Sequence, residues 1–212
     1  MTRTVVAAFD FDGTLTKSDS VVPFLRLMGG RRRLLLQLLR HAPSVTVAAA
    51  RRDRDRLKAL ASDAVFRGVA RSRVDDLARE HGRAIAVRGL RPDVVARLGW
   101  HLEQGHRVVI VSASYEPYVR VVAAALGVPD VVATRLAVDD ADVCTGTIDG
   151  PNCRAAEKVR RLEQWLTAQG LTRDQIELWA YGDSAGDREL LAWADHPVWV
   201  HDTVDSVAPA SA

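Results

Sequence analysis

The chain has 212 residues, of which 48% are apolar and 26% charged, with 29 basic and 27 acidic residues giving a net charge of +2. That balance is globular and excludes a disordered, collagen-like or coiled-coil protein. Two cysteines, Cys144 and Cys153, are too few for a disulfide scaffold, and they form no zinc-ribbon pair.

The first element expected is a strand over Val5–Phe9, a short apolar run ending on an acid. Residues 18–88 read as helices throughout, with apolar positions at helical spacing and breaks at Gly29-Gly30, Pro43 and Gly68. After Arg91-Pro92 the texture changes to alternating helix and strand. Helices are expected over Pro92–Glu103, Pro117–Leu126 and Ala155–Gln169, the last two ended by Gly127 and Gly170. Strands are expected over Val108–Val111, Val131–Thr134, Leu178–Tyr181 and Val198–Val200, with a small hairpin in 136–148. Alternation of this kind predicts an α/β fold, a Rossmann-like parallel sheet covered on both faces. The late tryptophans Trp165, Trp179, Trp193 and Trp199 are expected to pack the back of that sheet.

Charge is unevenly spread. Residues 16–88 hold 17 basic and 7 acidic residues, a net of +10, and the remainder carries a net of −8. A basic helical segment over an acidic core would draw an anion toward the core. Aromatic residues are sparse in that segment, with only Phe24 and Phe66, so a base-stacking platform is missing and nucleic acid is not expected as a partner. Arg31–Arg33 followed by Leu34–Leu39 is read as part of the segment's own core, with peripheral membrane contact or a dimer interface as alternatives. No apolar run reaches membrane-span length, and the N-terminal apolar run is short for a signal peptide, so a cytoplasmic location is expected.

In a parallel sheet, ligands bind outside the carboxyl ends of the strands. There the chain carries Asp10-Phe11-Asp12-Gly13-Thr14, Ser112-Ala113-Ser114 and Gly182-Asp183-Ser184-Ala185-Gly186-Asp187. Asp10 and Asp12 sit at alternate positions, and Asp183 and Asp187 reach the same rim. Four acids converge only around a hard cation, and oxygen ligands fit Mg2+ better than zinc. Gly13 offers a free N–H, Thr14 a hydroxyl for a phosphate oxygen, and Ser112 an anion seat beside the next helix. Lys158, one of three lysines, supplies a point charge for phosphate. Together these groups describe a phosphoryl-transfer site.

D-x-D-G-T at 10–14, Ser112 after an apolar strand, Lys158 and G-D-S-x-x-D at 182–187 stand in the order of four family signatures. On these the chain resembles the haloacid dehalogenase-like superfamily, in its phosphoserine-phosphatase-like subfamily IB. T-G-T-I-D-G-P-N-C at 145–153 is similar to that subfamily too. The resemblance implies a catalytic core of residues 1–15 and 89–212, with residues 16–88 inserted as an all-helical cap. It implies Asp10 as nucleophile, forming an aspartyl-phosphate, and Asp12 as the acid and base that protonates the leaving group and activates water. Mg2+ would be held by Asp10, the Asp12 carbonyl, Asp183 and, through water, Asp187, which could instead orient Lys158. Ser112, the Ala113 N–H and Lys158 would hold the phosphoryl group.

An acid at Asp12 separates the chain from relatives that keep a long-lived aspartyl-phosphate and from dehalogenases, leaving a phosphatase or a phosphomutase. A helical cap implies a small phosphorylated metabolite, with a lipid phosphate as an alternative substrate and a monomer or homodimer as the assembly. The resemblance is weaker for phosphoserine itself. Asp19 stands where that enzyme has Glu, and Ser112-Ala113-Ser114 replaces Ser-Gly-Gly. Specificity candidates are Asp19, Arg56 and Lys58, with Arg54 and Arg67 further options in the same segment.

Overall fold

A computed structural model describes residues 3–29 and 53–200. In chain order these form strand β1 (Thr4–Phe9), helix α1 (residues 21–29), α2 (Arg54–Phe66), α3 (Arg71–Arg88), α4 (Pro92–Glu103), β2 (Arg107–Tyr115), α5 (Glu116–Ala125), β3 (Asp130–Thr134), β4 (Leu136–Val138), β5 (Cys144–Ile148), α6 (Ala156–Ala168), β6 (Ile176–Gly182), α7 (Arg188–Trp193) and β7 (His196–Trp199). The expectations for Arg31–Leu39 and for the break at Pro43 fall outside the described residues.

Five parallel strands form one sheet in the order β3-β2-β1-β6-β7, and β4 and β5 make a separate antiparallel pair. The central strand shows why the sequence folds this way. Val6, Ala7, Ala8 and Phe9 are all fully buried, because a strand with helices on both faces has no solvent side. Alternate residues serve opposite faces. Ala7, Phe9, Val108 and Ile110 pack with α4 and α5, while Val6, Ala8, Val109 and Val111 pack with Leu162 and Leu166 of α6 and Leu190 and Leu191 of α7. The tryptophans follow the same alternation rather than sharing one side. Trp179 lies with the first cluster, Trp165 and Trp193 with the second, and Trp199 remains 38% exposed.

Two further features position the site. The chain leaves the sheet and returns to it at one place. Thr16 bridges Leu90 in antiparallel fashion, Lys17 N–H donates to the Gly89 carbonyl at 2.8 Å, and Arg91 N–H donates to the Leu15 carbonyl at 2.9 Å. The helices between these points then pack back on the core. Gly82 of α3 lies so close to α5 that a β-carbon there would sit 2.7 Å from Val121 Cβ. The β4–β5 hairpin joins the α2–α3 turn through Gly68 N–H to the Cys144 carbonyl and Cys144 N–H to the Val69 carbonyl. Among the described residues, the non-helical stretch 67–70 falls at the break expected at Gly68, whereas 18–20, read as helical, are not.

Candidate active site

Asp10 is the first residue after β1, and its N–H donates to the Tyr181 carbonyl of the neighbouring strand at 2.9 Å. Phe11–Leu15 then forms one tight turn, closed by Thr16 N–H on the Phe11 carbonyl. Gly13 has φ +82°, and a β-carbon there would meet Asp183 Oδ2 at 2.3 Å, so this turn needs glycine both for its dihedral and for its contact with Asp183. Asp183 and Asp187 follow β6. Lys158 comes from the first turn of α6, whose preceding residue Ala155 is held at φ +56°.

Lys158 is 1% exposed, and its ammonium lies between two carboxylates. It donates to Asp10 Oδ1 and to Asp187 Oδ1, the latter at 2.5 Å. Asp187 Oδ2 accepts from the Ser184 N–H at 3.0 Å and from the Ser184 hydroxyl at 2.8 Å. Both oxygens of Asp187 are therefore engaged in orienting Lys158 and the loop. Burial pushes the Asp10 carboxyl up to about 7, with Lys158 opposing and Asp187 adding to the rise. Burial alone would lower Lys158, but Asp10 and Asp187 hold it above the ordinary lysine range. Asp187 is held low because Lys158 and Ser184 overcome the effect of burial, and Asp183 is raised by burial and by Asp187.

Carboxylate oxygens of Asp10, Asp183 and Asp187 all lie within 4.8 Å of one another. Three carboxylates and one ammonium leave two excess negative charges in a largely buried cluster, and the donors are all hard oxygens. A divalent cation such as Mg2+ fits both the charge and the donor set. Asp12 does not join this cluster through its side chain. Its carboxylate turns the other way, accepting from the Ser114 hydroxyl at 2.5 Å and from the Ser20 N–H at 3.0 Å. Burial raises its pKa, opposed by the Ser114 and Ser20 bonds.

Asp10, Asp12, Gly13, Ser112, Ala113, Lys158, Asp183 and Asp187 line one cavity of about 530 Å³, together with Asp19, Arg54 and Lys58. Three expectations change. Thr14 is fully buried and its hydroxyl donates to Asp183 Oδ1 at 3.3 Å, so it orients an acid instead of facing the cavity. Arg56 is exposed and off the cavity, because α2 presents 54, 57, 58 and 61 inward and residue 56 falls on another face. Arg67 likewise pairs outside with Asp63. Ser112 does not sit beside the N–H groups that open the next helix, which begins only at Glu116. β2 continues through an irregular stretch to Tyr115, and the Ser112 hydroxyl accepts from the Ser114 N–H at 2.9 Å.

The sequence reading missed a bridge between α2 and the core loops. Lys58 Nζ donates to the Ala113 carbonyl and, at 2.8 Å, to Asn152 Oδ1, and it lies 4.5 Å from the centre of the Tyr115 ring. Asn152 Oδ1 also accepts from the Thr134 hydroxyl at 2.9 Å, and its Nδ2 donates to Asp55 Oδ1 at 2.7 Å. Burial pulls Lys58 down to about 7. The Asn in T-G-T-I-D-G-P-N-C was the only hint of this in the sequence.

The family model for haloacid dehalogenase-like hydrolase matches residues 7–192. The chain belongs to this family. It is 39% identical over 192 residues to Protein CicA of Caulobacter vibrioides, a span covering 90% of this chain and 83% of that protein. Among solved structures, a Bordetella pertussis Tohama I protein of unknown function superposes with a TM-score of 0.75 at 25% identity, covering 91% of this chain and 87% of that one. A substrate-bound phosphoserine phosphatase superposes with a TM-score of 0.61 at 18% identity, covering 92% and 84%. The second likeness is one of fold. It agrees with the five-stranded parallel sheet. Among the described residues, no helix of this hydrolase is long and apolar enough to cross a membrane.

Proposed function

We propose that the chain is a Mg2+-dependent phosphomonoesterase acting through an aspartyl-phosphate on Asp10, with residues 16–88 as its cap. The observation that carries this reading is the opposed setting of the two motif-one acids in a single cavity. Asp10 points to Lys158, Asp183 and Asp187, while Asp12 points to Ser114 and Ser20. One acid is thereby suited to attack and the other to proton transfer.

Asp10 forms a bond to phosphorus as the bond to the leaving oxygen breaks. Asp12 gives its proton to that oxygen, so an alcohol departs. Asp12 then takes a proton from the water that attacks the aspartyl-phosphate, and inorganic phosphate is released with the Asp10 carboxylate restored. Lys158, the Ser112 hydroxyl and the Ala113 N–H bind the phosphoryl oxygens. Asp10, Asp183 and the Asp12 carbonyl would hold Mg2+, with Asp187 acting through water or through Lys158. Bound there, Mg2+ would keep Asp10 ionised and neutralise phosphoryl charge. The linkers paired at 15–17 and 89–91 support residues 16–88 as a unit inserted into a core of 1–15 and 89–212. Two free buried thiols accord with a reducing, cytoplasmic location.

The test is phosphate release from phosphoserine, sugar phosphates, nucleotides and alkyl phosphates, with and without Mg2+, in wild type and Asp10→Asn. Mg2+-dependent release that disappears in the variant is the expected result. A folded wild type that releases phosphate from none of these esters overturns the reading.

A further inference from the structure

The cavity has two chemically different ends. At one end stand the acids, Ser112 and Lys158. At the other, the wall is aliphatic: Val21, Val22 and Leu25 of α1 face Leu57 and Ala61 of α2 across the opening. Val22 is 44% exposed although it lines this wall, apolar surface that a bound ligand would cover.

Among the described residues, several polar groups on that side already have work within the protein. Asp19 Oδ2 accepts from the Val22 N–H at 3.0 Å and so caps α1. Lys58 is spent on the Ala113 carbonyl and Asn152, and Asn152 on Lys58, Thr134 and Asp55. Arg54 remains on that side as a cation, while Arg154 stands beside Gly186 at the acid end. An ammonium-bearing leaving group would meet two basic side chains, Arg54 and Lys58, against the one carboxylate of Asp19, and a polyhydroxylated one would meet an aliphatic wall that returns no hydrogen bonds.

Resting on the phosphatase reading above, we infer that the leaving group is an uncharged aliphatic alcohol, so that the substrate class is the monophosphate of an apolar alcohol. The phosphoryl group occupies the Asp10 end, and the carbon chain lies between α1 and α2. The reaction yields that alcohol and inorganic phosphate.

The experiment measures kcat/KM of the full chain with Mg2+ for propyl, butyl, pentyl and hexyl phosphate, against phosphoserine and glycerol 3-phosphate. Binding of the matching alkylphosphonates is measured by calorimetry. Each added methylene is expected to raise kcat/KM and phosphonate affinity about fourfold until the wall is filled. The phosphonate series should also show a heat-capacity change that becomes more negative with length. Leu57→Gln should cut the gain per methylene to about twofold or less.

A flat series, or phosphoserine or glycerol 3-phosphate turned over about tenfold better than butyl phosphate, overturns the inference and leaves the phosphatase reading intact. If no ester is hydrolysed, the phosphatase reading falls, and the phosphonate series alone decides whether the wall binds alkyl chains. Comparing soluble hexyl phosphate with hexadecyl phosphate in phosphatidylcholine vesicles distinguishes a dissolved source of the alcohol from a membrane-borne one. A preference for either over the polar esters supports the class.

Discussion

Lys158→Met is the most direct test of how the buried charges are balanced. Lys158 and Asp187 are both 1% exposed and Asp10 is 6% exposed, so removing the ammonium leaves two carboxylates facing one another without solvent. Breaking a buried pair in this way costs about 3–5 kcal/mol. For a chain of this size that lowers Tm by about 6–20 °C. The deficit should depend on pH. In the wild type, Asp10 is held up to about 7 in the fold, so folding takes up one proton as pH falls from 7 toward the unfolded carboxylate range. Asp187 takes up none there, because Lys158 keeps it low. In the variant both carboxyls are raised by burial and mutual repulsion, so folding takes up one proton more than in the wild type. Stability gained this way is present at low pH and lost as pH rises through the folded value. Over the window from pH 7 to about pH 4.5, one extra proton returns about 3 kcal/mol. Chemical denaturation at both pH values, in chelator, measures the difference. Adding Asp187→Asn should recover at least half of the neutral-pH loss. A loss below about 1 kcal/mol at pH 7, or one that does not shrink at pH 4.5, refutes the charge accounting.

Two other perturbations are equally specific. Gly13→Ala places a methyl on Asp183 Oδ2 at a residue with φ +82°, so it should cost about 1–2 kcal/mol and, by displacing Asp183, about 100-fold in kcat; phosphate-release kinetics at saturating Mg2+ check this. His101 is fully buried, bonded to the Tyr181 hydroxyl and to His106, and burial with Arg97 and His106 holds it down to about 3. The unfolded chain therefore binds a proton below about 6.5 that the folded chain refuses, and about 1–2 kcal/mol should be lost between pH 7 and pH 5, a slope that urea titrations should show flattened in His101→Gln.

The parts of the fold legible in the sequence were those set by local pattern. An unbroken apolar run ending on Asp10 can only be a strand covered on both sides, and the acids and Lys158 stand in a fixed order along strand ends. The hairpin of Leu136–Val138 with Cys144–Ile148 was legible for the same reason. What was not legible depends on partners far apart in the chain. Ser114 finds Asp12 across 102 residues, and Lys58 finds Asn152 across 94. Thr14 has the residue type of a phosphate contact, and only the position of Asp183 shows that its hydroxyl is spent there. Arg56 and Lys58 are alike in charge and two residues apart, and only the rotation of α2 against the core separates a surface cation from a cavity one.

The division of labour in the cavity follows from the same geometry. Groups suited to phosphoryl chemistry, apart from Lys158 on α6, come from strand ends or the turns just after them, where the backbone is fixed by the sheet. The opposite wall of the cavity comes from α1 and α2. The two sides are joined at the site by polar bonds, chiefly Ser20 N–H to Asp12 and Lys58 to Ala113 and Asn152. Phe24 of α1 and Phe66 of α2, both fully buried, add aromatic contacts to Tyr115 and Tyr118 on the core side. Gly82 sets α3 against Val121 of α5 with no room for a methyl. The elements that would sense the alcohol are the same ones whose bonds to Asp12 and to the Ala113 loop hold the reacting groups in place.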